Sequence, residues 1–363
     1  MSWEVKIFHT SEPDFTLWKS YYDRLNQKGV YHSPEYIKVL EGHYQNDAEL
    51  FVFGNEDNFI YYPYFKRSLD RLPFSERCDI DLTQYYDLVS SWYYGGPVVC
   101  LCDPEDKPDG SLVMDFLDSF HQYCQRSQIV SEFVRFDPNI RNYLCFQDNL
   151  PVKYNRETIY VDLTLSEEDI WAGYKGRCRT AIKKGKTYPV EVAVAQPSDF
   201  LRDFYIIYDS EMTRKNAPGH YLFSEKFLED LINALQERVV LFAVTFEKKM
   251  IGGTICLIDK SGIAYDYLTA TLPDYWKYQV NNLLFHKVIL WCRKSGAHTY
   301  DFHGGRGSVE FFKASFSSSR RSFYVSEIIH DPTAYDLLVS AKQRFCGEGL
   351  SDFFPEYRAK DTN

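Results

Sequence analysis

Positive charge is what this chain is short of. Its 41 lysines and arginines stand against 51 aspartates and glutamates, a net charge of −10 at neutral pH. A general nucleic-acid binder needs a broad cationic face to displace counterions, so the balance argues against that class while leaving room for a local basic patch. Long hydrophobic runs are missing too. No apolar stretch reaches the roughly 20 residues of a membrane-spanning helix, and the opening "MSWEVKIFHTSEPDF" has no basic-then-apolar targeting pattern. These absences lead us to expect a cytoplasmic protein without a transmembrane segment, whose substrate is still free to be membrane-attached. The nine cysteines (78, 100, 102, 124, 145, 178, 256, 292 and 346) are odd in number, and the Cys100/Cys102 pair has no second pair at zinc spacing. No two histidines sit at ligand spacing. No metal is therefore expected, and the thiols read as reduced. A P-loop, a G-x-S-x-G elbow and the paired acids of a glycosidase are all absent, as is any low-complexity linker.

What the chain has in excess is aromatic surface: 17% of its 363 residues, including 29 Tyr and 27 Phe. Tyrosine joins a large buried area to a hydrogen-bonding tip, which suits polar-rimmed clefts and cores alike. The length suggests two domains. In the second half, periodicity predicts a strand at 158–165, a helix opened by Ser166 and running through "WAGYKGRCRTAIKKGK", a strand at 188–195 and a helix through "PSDFLRDFYIIYDSEMTR". A helix capped by Ser224 follows, then three strands (239–246, 250–258, 262–270) with hairpin turns. A helix over about 281–295 stopped by Gly296, the strand "HTYDF" and a last strand "RSFYVSEII" complete the order. The first half repeats it more loosely: "SPEYIKVL" parallels "SEKFLEDL", and "LVMDFLDSFHQYCQRS" leading into "SEFVRF" parallels "LLFHKVILWCRKSG" leading into "HTYDF". Pro151 and its polar neighbours interrupt the pattern, which puts domains at 1–152 and 153–363, with their interface as the expected cleft.

The order strand, two helices, three antiparallel strands, helix, strand, helix, strand resembles that of GNAT-type acyltransferases. Two such units in tandem resemble the FemABX and FemAB-like N-acyltransferases. Four motifs carry the resemblance: "YKGRCRTAIKKGKTYPVEV", "EMTRKNAPGHYLF", "YDFHGG" and "FFKASF", the last matching a Phe-Lys-x-x-Phe signature. The resemblance implies an α/β (α+β) fold of two tandem GNAT-like domains, each a mixed, mostly antiparallel sheet flanked by helices. It also implies transfer of an acyl group to an amine of a cell-envelope precursor, with no bound cofactor. Where GNAT enzymes cradle the CoA pyrophosphate with glycines, "KYQVNNLLF" (277–285) has none. Side chains there obstruct a pyrophosphate, which moves the expected co-substrate from acyl-CoA towards aminoacyl-tRNA and leaves both open.

Acyl transfer to an amine builds an oxyanion that a fixed cation stabilises. Lys313, between Phe312 and Phe316, is the expected catalytic cation, and the resemblance places its counterpart at the transfer site; the plain alternative is a surface amine. Asp301 in its apolar strand is read either as the proton acceptor for the attacking amine or as an anchor for the glycine turn. Gly304 and Gly305 either receive substrate or form a simple connection with Ser308 as helix cap. Arg214, near Tyr221, suits an acceptor phosphate if it is not merely a helix-end cation. Tyr265 and Tyr267 share a strand face by period two, and are either substrate contacts or core tyrosines. Arg177, Arg179 and Lys183 belong to the densest basic stretch. It is either the contact for a tRNA donor or a solvated helix face.

Overall fold

The computed structural model describes residues 3–103, 110–346 and 353–359. The chain opens with β1 (Glu4–His9), α1 (Asp14–Arg24) and α2 (Pro34–Tyr44). It continues through β2 (Asp47–Gly54), β3 (Phe59–Ser68), β4 (Tyr86–Val89), β5 (Val98–Cys100), α3 (Gly110–Arg126), β6 (Ile129–Arg135) and β7 (Val152–Asp162). Then come α4 (Glu167–Gly173), α5 (Gly176–Gly185), β8 (Val190–Ala195), α6 (Pro197–Arg214) and α7 (Glu225–Leu235). β9 (Val239–Phe246), β10 (Lys249–Ile258), β11 (Ile263–Thr271), α8 (Val280–Lys294) and β12 (Thr299–Asp301) follow. The last elements are α9 (Ser308–Lys313), β13 (Arg320–Ile329) and α10 (Pro332–Cys346). Two compact units result, one taking the chain up to Asn155 and again from Ser322 onward, the other Arg156–Arg321.

Each unit repeats the other strand for strand. The first sheet runs β1-β2-β3-β4-β6-β13 with β5 also on β3, and the second runs β8-β9-β10-β11-β12-β7. In both, one central pair is parallel, β4 with β6 and β11 with β12, and its neighbours are antiparallel. A parallel pair needs a crossover, which α3 supplies in one unit and α8 in the other. The expected tandem mixed-sheet fold is therefore present. The expected grouping of 153–363 differs from the contacts: β13 pairs with β6 (Val325 opposite Arg135), so the C-terminal segment completes the first sheet. Buried charge fastens it there. Asp87 is fully buried and accepts from Arg358 and from Arg67 at 2.7 Å, and His330 lies 3.0 Å from Glu132. Burial by itself would raise the Asp87 carboxyl, but the two guanidiniums outweigh it and hold it below its ordinary range.

Many of the surplus tyrosines serve as core residues with polar tips in the first unit. Tyr61, Tyr62 and Tyr64 are buried, and Tyr62 and Tyr64 donate to the buried carboxylates Glu132 and Glu49. The second core is aliphatic and aromatic, built from α5 and α8 on the sheet with Tyr300, Phe302 and Phe316. The helix expected to run unbroken from Ser166 is two helices. Ser166 does cap α4 by accepting from the Asp169 N–H, but the chain turns at Tyr174 and Lys175, where Gly173 and Gly176 weaken the helix. Among the described residues no helix is long and apolar enough to cross a membrane.

Candidate functional site

The second unit has a fork in its sheet. β11 and β12 pair only from Ile263 opposite Thr299 to Tyr265 opposite Asp301, and from Asp266 onward they part. On its other side β11 carries a bulge. Ile255 lies opposite Leu268 and Cys256 opposite Asp266, so Tyr267 is the extra residue. A bulge beside diverging strands re-aims side chains and leaves backbone groups to be satisfied by something other than a ladder.

Two side chains fill that need. Lys313, at the end of α9, donates to the carbonyl of Phe302 and reaches that of Gly304 at 3.4 Å, while its ammonium lies 3.4 Å from Asp266 Oδ2. Its side chain is only 13% exposed, which rules out the surface amine. Asp266 is itself fixed, its Oδ1 accepting from Thr269 at 2.8 Å and from Thr254 at 3.3 Å. His303 is the second bridge: its Nδ1 lies 3.0 Å from the Asp266 carbonyl. A carbonyl only accepts, so Nδ1 carries a proton. Burial, then the Lys313 ammonium, push this imidazole well below its ordinary value.

The phenylalanines around this segment cluster. Phe312 and Phe316 are 5.4 Å apart, and Phe285 and Phe302 pack on Phe316. Asp301 is fully buried and accepts from the His303 N–H at 2.6 Å, where it anchors the turn. Gly305 is confined: a Cβ there would stand 2.8 Å from the Glu310 nitrogen. Ser308 is not the cap of α9; the capping position is Gly307, at φ 55°, with no side-chain bond.

The remaining expected residues have other partners. Tyr265 donates to Asp259 at 3.0 Å and stacks on His303, while Tyr267 lies against Phe223; the bulge interrupts the alternation between the two. Arg214, at the end of α6, sits over Trp276 at 5.3 Å, in the segment joining β11 to α8. The Tyr221 carbonyl accepts from Tyr208. The basic helix α5, by contrast, adjoins the Lys313 segment. Arg177 lies 3.2 Å over the Phe311 ring and donates to its carbonyl, and the Lys175 N–H donates to Ser315. Arg179 donates to the carbonyls of Ala172 and Tyr174 that end α4, and Lys183 is exposed. Sequence reasoning missed Asp266, Thr254 and Thr269. An aspartate in mid-strand followed by "YLTAT" was the available signal.

Residues 172–314, which hold the whole fork, match the model of the Acetyltransferase (GNAT) domain. Among curated proteins none matches the chain at sequence level. Among solved structures, FemX superposes with a TM-score of 0.66 at 12% identity, covering 92% of this chain and 99% of its own. The C-terminal domain of a putative lysylphosphatidylglycerol synthetase from Agrobacterium fabrum gives 0.57 at 14%, covering 89% and 94%. L-PGS from Bacillus licheniformis gives 0.54 at 12%, covering 94% and 99%. At these identities the likeness is one of fold.

Proposed function

We propose, starting from a chain that carries an acetyltransferase (GNAT) domain in a FemAB-like fold and so is an acyltransferase, that it moves an aminoacyl group from aminoacyl-tRNA to an amine of a cell-envelope precursor. The observation that carries this reading is the amine of Lys313, lodged in the fork of the sheet with two of its three contacts at 3.4 Å. An ammonium held so loosely can turn one N–H towards a developing oxyanion, and such a donor is typically worth about 3–4 kcal/mol in the transition state. The acceptor nitrogen bonds to the ester carbonyl carbon. The bond to the ribose oxygen breaks, and the nitrogen's proton ends on that ribose hydroxyl. No covalent enzyme intermediate is invoked, since Cys178, the cysteine of α5, is buried and burial pushes its thiol up.

Support for the tRNA donor comes from α5, whose exposed Arg177 contacts the Lys313 segment at Phe311 and whose Lys183 is exposed. Support for an envelope acceptor comes from the fold neighbour named as a putative lysylphosphatidylglycerol synthetase; a peptidoglycan stem peptide or an amino sugar supplies the required amine. A second reading, acyl-CoA-dependent N-acylation of an amino sugar in surface polysaccharide assembly, is favoured by the start of α8. There Gln279 adopts φ 61° without glycine, and no side chain caps the helix. Incubating the purified protein with radiolabelled aminoacyl-tRNA or acetyl-CoA and an amino-sugar or stem-peptide acceptor separates the two. Ribonuclease-sensitive label transfer is expected. Release of free CoA with no transfer from tRNA would overturn the tRNA donor in favour of the second reading.

A further inference from the structure

We propose that Asp266 is the positioning residue for Lys313, a role resting on the reading of Lys313 given above. Three observations converge on it. The carboxylate lies at the point where β11 leaves β12, beside the bulged Tyr267, so its side chain faces the fork. One oxygen accepts from the Thr269 hydroxyl at 2.8 Å, and the Thr254 oxygen stands 3.3 Å from it and 2.6 Å from the Thr269 oxygen, so the two threonines close that side of the carboxylate. The other oxygen faces the ammonium at 3.4 Å, in a setting where the lysine side chain is 13% exposed and the carboxylate's 7%.

Lysine carries its charge on four flexible methylenes, so the direction of its head must come from its surroundings. The carbonyls of Phe302 and Gly304 pull the head towards one side of the fork, and Asp266 supplies the opposing pull from the other strand. Without it the amine is no longer held on that side, and its head swings out of the gap into reach of solvent. The hydroxyls of Thr254 and Thr269 keep the carboxylate from following the lysine. The result is a cation centred in the gap and contacted weakly enough on two sides to meet a new negative charge. Asp266 touches no reacting atom in this scheme; it acts through Lys313 alone.

The test has a substrate-free arm and a catalytic arm. In the first, intact protein is labelled with N-hydroxysuccinimidyl acetate and its lysines are followed by mass spectrometry. Lys226, whose side chain is 72% exposed, serves as internal reference. Lys313 of the wild type is expected to label at least tenfold more slowly than Lys226, and Asp266→Asn to speed Lys313 severalfold without changing Lys226. In the second arm, Asp266→Asn lowers kcat at least tenfold with KM within twofold, and Asp266→Glu recovers part of the loss. Thr269→Val, which leaves the carboxylate in place, moves kcat in the same direction by a smaller factor. If Lys313 labelling is the same in Asp266→Asn, or if it rises while kcat holds, the positioning role is overturned. If labelling responds but the wild type transfers from neither donor, the acyl-transfer reading fails and the placement of the amine by Asp266 stands.

Discussion

Replacing Lys313 by Met separates what its charge does for folding from what it does for chemistry. The side chain is close in length, so its bulk is kept while the ammonium is lost. At 3.4 Å two unit charges at an effective dielectric constant of about 20 attract by about 5 kcal/mol. Most of that offsets the cost of taking both groups out of water. The variant therefore leaves Asp266 buried with two hydroxyl donors and no cation, and the expected loss of stability is about 2–3 kcal/mol. For a unit of this size that is a fall in Tm of about 4–12 °C. The double variant Lys313→Met/Asp266→Asn removes the stranded charge and is expected to recover most of the Tm. Turnover, in contrast, falls about 10²–10³-fold in the single and the double variant alike, because neither restores a cation at the oxyanion. Thermal unfolding and acyl transfer on the same three proteins decide the matter. Turnover that returned together with stability in the double variant would reduce Lys313 to a structural ion-pair partner and refute the catalytic argument.

Asp87→Asn strands the guanidiniums of Arg67 and Arg358 and is expected to cost about 3–5 kcal/mol at pH 7. Because the folded carboxyl lies below its ordinary value, that stabilisation is present above about pH 4 and lost on further acidification. Urea unfolding should show the wild type and the variant converging towards pH 3. Asp259 behaves in the opposite sense: burial raises its carboxyl from 3.8 to about 6. The folded protein then binds the extra proton in that window, and stability declines as pH rises from about 4 to 6. Asp259→Asn, measured by urea unfolding at pH 7, is expected to be up to about 3 kcal/mol more stable than the wild type and to lose the slope. Gly305→Ala drives a methyl to 2.8 Å from the Glu310 nitrogen, shifts α9 and is expected to cut turnover at least tenfold. Gly304→Ala, whose methyl would meet the flexible Arg156 side chain at 3.1 Å and the Glu157 carbonyl at an ordinary 3.5 Å, should change it less than threefold.

The helices and hairpins were legible because amphipathic stripes and Ser caps are local: the stripe of α7 and the Ser224 cap are both as the spacing predicts. β4 was not. Its four residues "YDLV" are too few to show a period, and they become a strand only through a parallel partner, β6, that arrives after α3. The pairing of β13 with β6 was hidden for the same reason, since nothing near "RSFYVSEII" records which distant edge it meets. At the site, the Phe-Lys-x-x-Phe segment gave Lys313 its place, but Asp266 escaped because it flanks a bulge. A slip of one residue in a ladder leaves no mark in the alternation of side chains, and alternation is what a sequence displays. The contacts of Arg177 and Arg179 with neighbouring carbonyls were likewise invisible, since a basic run looks the same whether its members face water or end a helix.

The strand exchange sets a timetable for synthesis. Residues 1–155 leave the ribosome first, yet their sheet keeps an open edge on β6 until Ile329 has been translated. An N-terminal domain ordinarily closes before its successor is made. Here the nascent chain must shelter an unmatched row of amides through the making of some 190 residues, a count that follows from the Val325–Arg135 pairing. A transcript cut short after residue 321 would thus yield a polypeptide whose fork and lysine are intact but whose leading sheet is left sticky.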